Sequence, residues 1–116
     1  MNLSGIRMQI IQEVLNLPRT DEIRMLPDSS GLYFVFDKQR NEMIYVGQTK
    51  NSIQKRIYQH THARHFICPE EANDKRYWFY YQLEIHNLTI MEAFFIAALT
   101  PRVNRIIRTG VNRWEL

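Results

Sequence analysis

Residues 31–47 run Gly31-Leu32-Tyr33-Phe34-Val35-Phe36-Asp37-Lys38-Gln39-Arg40-Asn41-Glu42-Met43-Ile44-Tyr45-Val46-Gly47. The aromatic and β-branched run over 32–36 favours a strand, and Met43 to Val46 favours a second. The polar stretch Asp37 to Asn41 between them reads as a hairpin loop, and Gly47 ends the second strand. Upstream, Pro27-Asp28-Ser29-Ser30-Gly31 is a turn signal that sets the start of the hairpin.

Working outward, Ile6, Ile10, Ile11, Val14 and Leu15 recur at helical spacing, which predicts an amphipathic helix over 6–17, stopped by Pro18. Beyond the hairpin, Asn51 or Ser52 caps a helix running to about residue 64, with Ile53 and Ile57 on its buried side. Residues 66–75 are rich in Pro, Glu, Asn and Asp and read as a loop. In 76–85, Tyr77, Phe79, Tyr81, Leu83 and Ile85 alternate with Trp78, Tyr80, Gln82 and Glu84. That period predicts a third strand with the Tyr77 side facing the core. A second main helix spans 89–100, with Met91, Phe94, Phe95, Ala98 and Leu99 inward, and Pro101 stops it. A short helix up to Gly110 closes the reading. The expectation is an α+β domain: a three-stranded antiparallel sheet flanked by helices, with an extra N-terminal helix. Its parts are 1–27 (helix and linker), 28–104 (the central domain) and 105–116 (a basic tail).

Composition excludes several classes. The chain has 116 residues, enough for one core. Apolar residues make up 45% and charged residues 23%, which argues against disorder. No apolar run approaches the length of a membrane span, and no signal-peptide core precedes the first helix. Cys68 stands alone, so a disulfide scaffold is excluded and a reducing, cytoplasmic setting is expected. Charges cancel over 1–50 and over 51–100, so the whole net +3 sits in 101–116, on Arg102, Arg105, Arg108 and Arg113 against Glu115. A local cationic segment attracts polyanions; equally, it suits the C-terminal end of a helix.

Three constellations can carry chemistry. Arg56 and His60 are four apart and share a helix face. Arginine grips phosphate oxygens in a fork, and histidine exchanges protons near neutral pH; as surface residues they would be a solvated pair. Glu92 is an acid in an apolar stretch. It either completes a Thr89-x-x-Glu92 capping box or serves as a lone carboxylate for Mg²⁺. Tyr33 and Tyr45 can present two phenols across the hairpin, or simply fill the core. Other candidates are weaker. His62, His65 and Cys68 lack a fourth zinc ligand, Cys68 lacks a base, and no phosphate-binding glycine loop is present.

Gly31-Leu32-Tyr33, then 11 residues, then Tyr45-Val46-Gly47 resembles the paired signature of the GIY-YIG nuclease superfamily. Arg56 and His60 on the next helix, Glu92 on a later one and Asn104 after Pro101 extend the resemblance across 31–104. It implies a divalent-metal-dependent DNA endonuclease using Mg²⁺, with Mn²⁺ as a substitute. On that reading Glu92 holds the metal and Arg56 steadies the transition-state phosphate. Tyr33, Tyr45 and His60 position and deprotonate the attacking water, and Asn104 fixes the local backbone. The choice between Tyr33 acting directly and His60 acting through Tyr33 stays open. Gly47, Lys50, Arg102, Arg105 and Arg108 are expected at the nucleic acid. Leu32 and Val46 replace the signature isoleucines, and Gln48 stands where many members carry lysine. No separate targeting domain fits in this length, so a homodimer or a partner protein is one route to specificity. The competing class is a catalytically weak nucleic-acid-binding module or a subunit that needs a partner.

Overall fold

The computed structural model describes residues 3–62 and 67–109, without the side chains of Leu3, His62 and 107–109. In chain order the elements are α1 (Leu3–Leu15), β1 (Arg19–Thr20), a 3-10 turn (Ile23–Met25), β2 (Gly31–Asp37), β3 (Glu42–Thr49), α2 (Ile53–His62), α3 (Pro69–Asn73), β4 (Tyr77–Gln82), α4 (Leu88–Leu99) and α5 (Arg102–Thr109). The strands form one antiparallel sheet in the order β1-β4-β2-β3. The α+β fold is as expected, with one addition. The sheet has four strands because Arg19 and Thr20 pair with Tyr80 and Phe79. A two-residue strand after Pro18 has no compositional signature.

The hairpin closes through Asp37, whose carboxylate accepts hydrogen bonds from the Gln39 and Arg40 backbone N–H groups at 3.0 and 3.3 Å. Aspartate favours turns for this reason. Asn41 then takes the left-handed conformation at φ 54°. Along the ladder Phe36 opposes Met43 but Val35 opposes Tyr45, so Ile44 is an extra residue in β3. This bulge decides the site, because it shifts the in–out phase of β3 by one. Met43 packs on one face of the sheet, while Ile44 and Tyr45 both pack on the other, beside Tyr33.

Both faces of the sheet are covered. Ile53 and Ile57 of α2, Ala72 of α3 and Val103 of α5 pack with Tyr33, Val35, Tyr77 and Phe79 on one side. Val14 of α1 and Phe95 and Leu99 of α4 pack with Leu32, Phe34, Val46 and Tyr80 on the other. The expectation that only the Tyr77 side of β4 is core is therefore corrected, since Trp78 and Tyr80 face a second apolar layer. Burying both faces makes period-2 alternation uninformative in the central strands. In the helices, Ile6, Leu15 and Phe94 turn out substantially exposed, which narrows the buried stripes of α1 and α4. Residues 69–73, read as loop, form α3; Pro69 at its start and Glu70 and Glu71 in its first turn are helix-start chemistry. The predicted stop at Gly110 lies outside the described residues. Among those residues, no helix is long and apolar enough to cross a membrane.

Candidate active site

The ordered pair at the centre of the site is Tyr33 and His60. Tyr33 sits near the start of β2 and is 1% exposed, and His60 is 6% exposed near the end of α2. The Tyr33 hydroxyl and His60 Nε2 are 3.0 Å apart and share a hydrogen bond. Ile53 and Ile57, buried on the same helix, hold α2 against the sheet so that His60 reaches inward. Arg56, one turn earlier, projects to solvent. Tyr45 completes an aromatic trio, with ring centroids 6.1 Å from Tyr33 and 5.4 Å from His60, edge-on to the imidazole. It is half-buried and is the most solvent-facing of the three. Burial pushes the Tyr33 phenol above its ordinary pKa, and Tyr45 and Glu92 push the same way while the Arg56 charge opposes them. Without an added cation, Tyr33 is a neutral phenol at pH 7.

Gly47 lies directly across from Tyr33 in the ladder. A Cβ there would come within 2.5 Å of the Tyr33 Cζ and hydroxyl oxygen. The second signature glycine thus makes room for the first signature tyrosine.

Glu92 stands in the first half of α4 and is half-buried. Asn87, in the left-handed region at φ 57°, occupies the cap position of α4, which places Thr89 inside the helix. The capping-box reading of Thr89 and Glu92 is therefore corrected. The Thr89 hydroxyl faces the Gln48 amide Nε2 at 3.5 Å. Burial raises the pKa of Glu92, while the Gln48 backbone N–H and the Arg56 charge pull it down. Neither Arg56 nor Glu92 forms an ion pair with a described residue. The Gln48 Oε1 is buried and has no hydrogen-bond partner among the described residues. This donor set is oxygen only: one carboxylate, and a spare carbonyl on the residue whose N–H faces it. It fits a hard divalent cation that keeps most of its waters. No group of three or more His, Cys, Asp or Glu able to hold a metal occurs among the described residues. His65 and the His62 side chain lie outside them, and the Cys68 thiol donates to Glu70 at 2.9 Å.

Asn104, on α5, braces the backbone of β3. Its Oδ1 accepts from the Val46 N–H and its Nδ2 donates to the Val46 carbonyl, each at 2.9 Å. β3 is an edge strand, so this side chain supplies the pairing that a further strand would give. Tyr45 and Gly47 flank the braced residue. The remaining expected residues lie around this centre. Lys50 is exposed beside Asn87 and Thr89 at the start of α4. Arg102 pairs with Glu42 at 2.7 Å, Arg105 is exposed, and the Arg108 side chain lies outside the described residues. Sequence reasoning missed the bulge at Ile44 and the Gln48–Thr89 contact. Neither leaves a compositional signal, because Met43, Ile44, Tyr45 and Val46 are all apolar.

Among curated proteins none matches the chain. The family model of the GIY-YIG catalytic domain matches residues 29–95, more than half of the chain, from the turn before β2 to Phe95 of α4. The matched segment contains Tyr33, Tyr45, Gly47, Arg56, His60 and Glu92 and leaves out α1 and α5. The chain belongs to the GIY-YIG family, whose catalytic domains are endonucleases that generally depend on a divalent metal.

Proposed function

We propose that the protein is a metal-dependent DNA endonuclease that hydrolyses phosphodiester bonds at the Tyr33–His60 centre. The observation that carries this reading is the buried Tyr33–His60 hydrogen bond, flanked by Arg56 and Glu92, which are opposite in charge and not ion-paired. In the reaction, water adds to phosphorus, one P–O ester bond breaks, and the leaving oxygen takes up a proton. Water must lose a proton as it attacks, and the phosphate gathers negative charge.

The residues divide this work by position. Glu92 and the spare Gln48 carbonyl would hold Mg²⁺ or Mn²⁺, which when bound stabilises charge on the phosphate and lowers the pKa of nearby acids. Arg56, exposed and without an ion pair among the described residues, reaches the phosphate as it becomes more anionic. Tyr45, the solvent-facing phenol, positions the water. The proton moves into the phenol pair and ends on His60, the acceptor behind Tyr33. An isolated phenol titrates near 10, too high for a base at neutral pH, so the imidazole behind it resolves the mismatch. Asn104 keeps Tyr45 and Gly47 in register by bracing Val46.

Arg56→Gln tests the assignment. The side chain is exposed, so the fold survives, and cleavage of supercoiled plasmid with Mg²⁺ should fall about 10²–10³-fold. Unchanged cleavage would remove Arg56 from the transition state. Labelled DNA and RNA duplexes run side by side establish which polymer is cut; RNA cleavage without DNA cleavage would overturn the DNA assignment.

A further inference from the structure

α1 and α5 come from opposite ends of the chain, and both reach the end of β3 far from Gln48. Between them lies a cleft of about 270 Å³ whose lining includes Arg7 of α1, Glu42 and Met43 of β3, Thr100, and Arg102 and Arg105 of α5. Three guanidinium groups thus face one carboxylate. Arg102 is matched to that carboxylate, Glu42, at 2.7 Å. Arg7 donates through Nη2 to the Leu99 carbonyl at 2.8 Å and, at 3.4 Å, to the Thr100 hydroxyl. Both acceptors are neutral, so the charge of Arg7 is oriented without being cancelled. Arg105 is exposed and has no side-chain partner among the described residues. Two positive charges are left over, one of them held in a fixed direction. That is the arrangement that receives phosphate oxygens.

We propose that this cleft is a second phosphate subsite, which grips the phosphodiester backbone away from the cleavage point; it rests on the nuclease reading. Seven residue steps along α4 lead from Glu92 to Leu99, a rise of about 10 Å. That corresponds to roughly three axial steps of one strand of a duplex. Arg7 and Arg105 both lie outside the matched segment 29–95, so the flanking helices supply the grip. Such contacts set affinity and register and carry no base information. The helix-end contact of Arg7 by itself has a purely structural use, as a cap on α4. A structural role leaves the salt dependence of binding unchanged, and that is the discriminating readout.

The experiment measures binding of a fluorescein-labelled DNA duplex by anisotropy, in EDTA, over a range of salt. Arg105→Gln should flatten the slope of log K against log salt by about one, and Arg7→Gln with Arg105→Gln by about two. Arg24→Gln, which alters a Glu22-paired arginine outside the cleft, should leave it unchanged. Circular dichroism checks that α1 stays docked when Arg7 is changed. Arg105→Gln breaks no side-chain hydrogen bond or ion pair among the described residues and keeps the test valid if it does not. A wild-type slope in Arg105→Gln and in the double variant overturns the subsite. Plasmid cleavage by the wild type is read separately: cutting with an unchanged slope removes the subsite alone, whereas no cutting removes the nuclease reading.

Discussion

The two ends of β2 are both buried and both polar, yet they are built in opposite ways. At the Asp37 end every charge is matched. The carboxylate, 2% exposed, takes hydrogen bonds from Arg76 at 3.0 and 2.8 Å, lies 3.4 Å from Arg40 and accepts two backbone N–H groups. Arg76 in turn meets Glu71 at 2.6 Å, and the Tyr77 hydroxyl donates to the same carboxylate at 3.0 Å. At the Tyr33 end the Tyr33 hydroxyl and His60 satisfy each other, but Arg56 and Glu92 are not matched to each other. A saturated network pins β2, β4 and α3 together. An unsaturated one holds charge available for a ligand, which is the usual mark of a functional site. Stability and chemistry should therefore separate along one strand.

The largest expected effect comes from breaking the saturated end. Asp37→Asn takes from half-buried Arg76 the better buried of its two counter-charges, leaving Glu71, and should cost about 3 kcal/mol, read as a lower urea midpoint. Cleavage per folded molecule should stay at the wild-type level. The pH dependence sharpens the point. Burial alone would raise the Asp37 pKa, but the Arg76 hydrogen bonds and the Arg40 and Gln39 N–H groups outweigh it and hold the pKa low. A depressed carboxylate stabilises the fold above its unfolded value of about 4 and loses that contribution as pH falls through the folded value. Asp37→Asn should therefore lose part of the acid sensitivity of unfolding, and an unchanged pH profile would remove Asp37 from that role.

Next in size is the Tyr33–His60 pair. Tyr33→Phe should lower kcat/KM by about 10²-fold or more, at a stability cost of roughly 1–3 kcal/mol. His60→Gln keeps a hydrogen-bond partner for Tyr33 and removes the titrating ring. The acid limb that a titrating imidazole gives the rate profile should then disappear. A limb that persists in His60→Gln would leave the phenols as the final proton acceptors. The smallest effect is expected at Asn104→Ala, which removes two hydrogen bonds from the edge of β3 and should cost about 1–2 kcal/mol with a modest rate loss.

The hairpin and the helix after it are legible because turn residues and apolar periodicity agree there, and the signature residues add the site. The phase of Tyr45 is not legible. Four successive apolar residues hide the bulge, and only the ladder shows why Tyr45 and Tyr33 share a face. β1 escaped because pairing of two residues depends on what β4 offers, not on Arg19 and Thr20 themselves. α3 had a usable signal in Pro69-Glu70-Glu71, overridden by its loop-like composition. Glu92 is ambiguous in the sequence because a cap and a metal ligand use the same residue type, and the position of Asn87 removes only the capping box. Arg7 carried no signal at all, since its importance lies in a neighbour 92 residues away.

The most direct test of the unsaturated site is Glu92→Gln against wild type on supercoiled plasmid, with Mg²⁺ or Mn²⁺ and an EDTA control. A metal held by Glu92 entails metal-dependent nicking by the wild type, a loss of about 10²–10³-fold in the variant, and matching thermal unfolding of the two proteins. Because burial raises the Glu92 pKa, wild-type Mn²⁺ binding should also weaken as pH falls, starting above the ordinary glutamate range. Cleavage by Glu92→Gln at the wild-type rate, or wild-type cleavage that survives EDTA, would contradict it.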